Sequence, residues 1–163
     1  MSPKDAIRLG LDSSQMIIDA YIGDLDDADI LVRAVPGMNH IAWQLGHLIG
    51  AERHFAELVR PGSSPALPEG FVDAHSKETS TSDDASKFLP RARYQELWKA
   101  QRAATLAALE SAPEADLDKA DSEKYPPYAP TVAALMAMCG THALMHCGQF
   151  VAVRRKLGKP VTI

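Results

Sequence analysis

The chain has 163 residues, 46% of them hydrophobic and 23% charged, with a formal net charge of -4. That length suits one domain, expected over 1–163, able to bury a core without disulfides or structural metal. The acidic balance argues against a nucleic-acid partner, and the longest apolar stretch, Val132 to Cys139, is too short to span a bilayer.

Four segments read as helices and none as a strand. The first runs from about Pro3 to Ile22, with Ile7, Leu11, Ser14, Ile18 and Tyr21 at helical spacing. A short acidic piece, Asp24 to Val35, ends at Pro36-Gly37. Asn39 is then expected to cap a second helix that reaches about Arg60, before Pro61-Gly62. His40, Trp43, Gln44, His47, Ala51, His54, Phe55 and Leu58 share one face of it, and Glu52, Arg53 and Glu57 fall away from the middle of that face. Residues 61–89 are rich in Ser, Pro, Thr, Asp and Gly. So long a connection is expected to be a lid, a partner contact or a mobile link. The third helix should span about Pro90 to Glu110, with Tyr94, Leu97, Trp98, Gln101, Thr105, Ala108 and Leu109 inward. After a Pro-rich connection, the last helix should run from Thr131 to about Leu157 and stop at Gly158-Lys159-Pro160. The cluster Arg154-Arg155-Lys156 would complement the negative end of that helix's dipole. Four amphipathic helices imply an all-α, four-helix-bundle fold.

Cys139 and Cys147 stand eight residues apart on one helix, too far to bridge each other. Reduced thiols and a cytoplasmic protein are therefore expected. The opening residues show no basic region followed by an apolar run, so no signal peptide is expected.

The strongest chemical signal lies on the last helix. His142 and His146 are at i and i+4, which puts both imidazoles on one side, among Leu135, Cys139, Gln149 and Val153. Two buried imidazoles need partners, either a shared metal ion or hydrogen bonds, and the spacing alone is compatible with both. His47, inward on a second helix, would complete a three-nitrogen set with one position open, the pattern of catalytic rather than structural zinc. His-Glu-x-x-His, Glu-x-x-His and Cys-x-x-Cys are all absent from the sequence, which disfavours zincin peptidase and ferritin-like di-iron readings. His40 and His54 lie seven residues either side of His47, about 10 Å along the axis, too far for the same ion. Capping or surface contact is expected of His40, a boundary place of His54, and nothing of His75. Cys139 could be a fourth ligand but reads better as a small buried hydrophobe. Gln44 and Gln149, each one turn from a ligand, could orient imidazoles. Trp43 and Trp98 read as core aromatics.

The segment Asn39-His40-Ile41-Ala42-Trp43-Gln44-Leu45-Gly46-His47-Leu48 resembles the second-helix signature of the DinB-like (YfiT-like) metalloenzymes. His142-x-x-x-His146-x-x-Gln149, followed by Arg-Arg-Lys-Leu-Gly-Lys-Pro, is similar to their last helix. The resemblance covers nearly the whole chain. It implies an up-down-down-up four-helix bundle, a homodimer, and a divalent ion, zinc or nickel, on His47, His142 and His146. It also implies a transferase or isomerase acting on a small-molecule substrate, with a low-molecular-weight thiol such as bacillithiol, mycothiol or glutathione. The alternative is a non-catalytic, stress-related metal-binding or protein-interaction bundle.

Overall fold

The computed structural model describes residues 1–161, and among them there are helices and connections but no strand. Five α-helices form: α1 (Pro3–Ile22), α2 (Ile41–Val59), the four-residue α3 (Phe71–Ala74), α4 (Arg91–Ser111) and α5 (Val132–Lys156). The boundaries follow local chemistry. Ser2 and Asp5 exchange bonds in a capping box before α1, and the Thr131 hydroxyl caps α5 at the Ala134 amide. Gly158, at φ 69°, takes the left-handed turn that ends α5 and returns the Lys159 amide to the Arg154 carbonyl. The expected cap of α2 moves by one residue. His40, not Asn39, accepts the Trp43 amide through Nδ1 at 3.1 Å, because an imidazole nitrogen in an extended residue reaches the same donor as a short amide side chain.

Helix directions can be read from cross-helix bonds. Arg8 and Lys4 at the start of α1 reach Glu110 at the end of α4, so these two run antiparallel. Arg154 of α5 meets the Tyr21 carbonyl, and Gly140 lies against Gly10, so α5 runs parallel to α1. A Cβ at residue 140 would stand 3.2 Å from the Gly10 carbonyl group, so glycine here lets the two helices approach closely. Gln44 near the start of α2 meets His146 late in α5, and the pair is antiparallel. The order of the four long helices is therefore up, down, down, up.

The core has two apolar parts. One gathers Ile18, Ile49, Tyr94, Trp98 and Phe150, and the other Leu11, Phe55, Leu109, Met136 and Cys139. A buried polar layer of Ser14, Glu52 and Arg102 lies between them along the helices. Arg102 grips both carboxylate oxygens of Glu52 at 2.8 Å each, donates to the Leu11 carbonyl and to Ser14 Oγ, and lies over the Trp98 ring. Glu52, away from the middle of the face that carries His47, is nonetheless buried, its side chain 2% exposed. Its partner on α4 supplies the counter-charge that makes burial tolerable. Arg154, in the last turn of α5 as expected, is likewise fully buried. It binds the Asp24 carboxylate and the carbonyls of Tyr21 and Pro160, tying the last turn of α5 to the α1–α2 connection.

Residues 61–89 are pinned to the bundle. Arg33 bonds the carbonyls of Ser80 and Ser82 and the Asp83 carboxylate. Trp43 Nε1 donates to the Ser76 carbonyl at 3.0 Å, and His75 meets the Tyr94 hydroxyl at 2.6 Å. None of the helices is long and apolar enough to cross a membrane.

Candidate metal centre

His47 rises from the middle of α2, and His142 and His146 from successive turns of α5, where the two helices run antiparallel side by side. Each histidine offers one ring nitrogen, and the three nitrogens lie within 4.8 Å of one another. This group could hold a metal ion. The three residues named from spacing and resemblance are thus brought together at one point.

The surroundings set their orientation. His47 stacks on Trp43 with ring centroids 5.0 Å apart and planes 7° from parallel. Trp43 is itself held by the Ser76 carbonyl, so it positions an imidazole as well as filling core. Gln44 donates through Nε2 to the Asn39 carbonyl at 2.7 Å. A carbonyl can only accept, so the amide orientation is determined and Oε1 faces His146 Nδ1 at 2.7 Å. His146 must therefore carry its proton on Nδ1 and present a bare lone pair at Nε2. That lone pair looks at His142 Nε2 across 3.2 Å. Without a metal, a neutral His142 protonated on Nε2 donates to that lone pair; a cation between the two nitrogens would require both to be bare. Gln149 is half-buried, and it is Gln44 that meets a histidine.

Burial holds His47 below the ordinary histidine range, and His142 too, with His47 adding to the effect there. Burial, then repulsion from His142 and His47, push His146 down to about 3. All three are neutral near pH 7, the form in which imidazole binds metal.

His47 and His142 line an open cavity of about 630 Å³, together with Ala51, Phe55, Tyr128, Met138 and Met145. His54 is exposed on its wall, and no ring contact joins it to the three histidines. Cys139 is buried apart, its Sγ against the Leu135 carbonyl, and burial raises its thiol well above the usual range. It fills the core and is no fourth ligand of the group. Both cysteines are free, as their spacing implies.

A model of the DinB superfamily matches residues 11–150. The chain belongs to the DinB superfamily. No curated protein and no solved structure matches it. Within this DinB chain, two further histidines have defined places, one of which, His75, sequence reasoning missed. His40 is 1% exposed and caps α2, rather than meeting the surface. His75, from which nothing was expected, is also buried. Its Nδ1 donates to the Phe71 carbonyl, which leaves Nε2 to accept from Tyr94. Gly46 makes room for that ring: a Cβ there would lie 2.0 Å from it. The signal available in sequence was a glycine in mid-helix, directly before a ligand candidate.

Proposed function

We propose that this protein is a metal-dependent enzyme that holds one divalent ion, zinc or nickel, on His47, His142 and His146. The observation that carries the reading is the convergence of three neutral imidazoles, two of which, His47 and His142, line an open cavity. Three imidazoles that would leave a metal ion incompletely coordinated, beside a cavity, suit catalysis better than structural binding. A divalent ion bound there supplies Lewis acidity, which lowers the pKa of a thiol or a water at its open position.

The chain's own residues have distinct parts. His47, His142 and His146 are the ligands. Gln44 holds His146 in the tautomer that frees Nε2, and Trp43 holds the plane of His47. The cavity walls receive the substrate. Membership of the DinB superfamily and the reduced cysteines support a transferase or isomerase using a low-molecular-weight thiol in the cytoplasm. Exposed Leu9 and Met16 on α1 and Leu144 on α5 leave apolar surface that supports a homodimer, which sedimentation velocity would detect.

The experiment loads the protein with zinc or nickel and measures conjugation of bacillithiol, mycothiol and glutathione to a test electrophile. Faster conjugation than with metal-free protein supports the reading. If the loaded protein neither binds a thiol nor speeds its conjugation, the thiol-dependent enzyme is to be abandoned.

A further inference from the structure

The cavity above the histidines has a chemical character of its own. Five of its walls, Ala51, Phe55, Tyr128, Met138 and Met145, are apolar or aromatic, and no Asp, Glu, Lys or Arg lines it. Apart from His47 and His142, polar groups come from Thr141, His54 and the Tyr128 hydroxyl, none of them a fixed charge. The Thr141 hydroxyl is already turned back on the Ala137 and Met138 carbonyls of its own helix. A carboxylate or phosphate drawn into this space would lose its water and meet no counter-charge, which is unfavourable. An apolar body would instead shed water from both surfaces, and the two methionines can adjust around it. At roughly 30 Å³ for each water-sized group, the volume takes about twenty non-hydrogen atoms. That lies in the usual range for small-molecule sites.

We propose that the occupant of this cavity is a neutral, mainly apolar small molecule, aryl or alkyl in body, whose single donor atom points to the histidine end. The assignment rests on the metal reading only for that last point. A thiol with several charged groups, such as glutathione, would keep those groups outside the mouth, in water. The apolar wall then selects the body of the molecule that reacts.

A matched pair of fluorescent probes tests this at pH 8. N-phenyl-1-naphthylamine is neutral, and 1-anilinonaphthalene-8-sulfonate is the same skeleton with a sulfonate. Metal-free protein should bind the neutral probe at least tenfold more tightly. Ala51→Trp, which fills the cavity, should abolish that binding. Thr141→Arg, at an exposed position of the lining, should shift the preference at least tenfold toward the sulfonate. Circular dichroism confirms that each variant is folded. Equal or tighter binding of the sulfonate by the wild-type protein, or neutral-probe binding unaffected by Ala51→Trp, overturns the proposal. Benzyl mercaptan should displace the neutral probe more strongly from zinc-loaded than from metal-free protein. Equal displacement would count against the metal–thiol reading while leaving the apolar selectivity intact.

Discussion

Replacing Gln44 by Leu removes the acceptor of His146 and the donor to the Asn39 carbonyl, and leaves volume and helix propensity nearly unchanged. In the wild-type protein the Gln44 amide spans Asn39 and His146 with two bonds of 2.7 Å. Without Oε1, the Nδ1–H of a buried His146 has no partner, and the ring is free to turn or to move its proton to Nε2. An orphaned buried donor costs about 1–3 kcal/mol. Loss of a group that orients a metal-bound histidine lowers metal affinity about 10–100-fold. At 1.36 kcal/mol for each tenfold step, that range is about 1.4–2.7 kcal/mol, in agreement with the hydrogen-bond figure. Competition against a zinc-binding dye measures the affinity. Two-dimensional ¹H–¹⁵N spectra of the metal-free protein report the tautomer, with His146 protonated on Nδ1 in the wild type alone. An affinity within twofold of wild type in a folded Gln44→Leu protein, or a wild-type His146 protonated on Nε2, would refute the role given to Gln44.

Three other outcomes follow from buried chemistry. Arg102→Met strands the Glu52 carboxylate, whose ionised form burial already disfavours, and should cost about 3–5 kcal/mol in urea unfolding at pH 7. Adding Glu52→Leu should recover most of that, whereas additive losses would show that the pair is not coupled. Gly46→Ala places a Cβ where the His75 ring sits, and should destabilise the protein by about 1–3 kcal/mol while weakening metal binding at the neighbouring His47. An unchanged melting temperature would contradict the packing described. Burial, with Arg33 adding to it, holds His40 down at about 4, so below pH 6.5 the unfolded chain takes a proton that the folded chain refuses. Stability of the metal-free protein is therefore complete above pH 6.5 and falls toward pH 4, by up to about 1.4 kcal/mol per pH unit from this group alone. A flat profile across that window would be inconsistent with a buried neutral His40.

The long helices and the histidine pair were legible because both depend on spacing within one segment. Leu11, Ile18 and Tyr21 on α1, like Tyr94, Trp98 and Leu109 on α4, recur at intervals that a helix brings to one side, and they are buried. Position 142 and position 146 face together in any helix. His47 needed more, since nothing in spacing says which turn of α2 meets which turn of α5; the motif around it supplied that. The residues whose burial spacing does not show are those that depend on a partner far along the chain. Glu52 and Arg102 are 50 positions apart, and Arg154 and Asp24 are 130 apart. A charge taken alone belongs in water, and only the opposing charge on another helix reverses that. Arg102 does lie one turn after Trp98 on the inward stripe, which was the available signal. His75 escaped because its partner Tyr94 lies across a connection whose composition reads as surface.

Elemental analysis of protein purified without a histidine tag tests the central claim most directly. The account predicts close to one zinc or nickel ion per chain in the wild type, with loss of that ion in a folded His146→Ala variant. Trace metal at the same level in both proteins would contradict it.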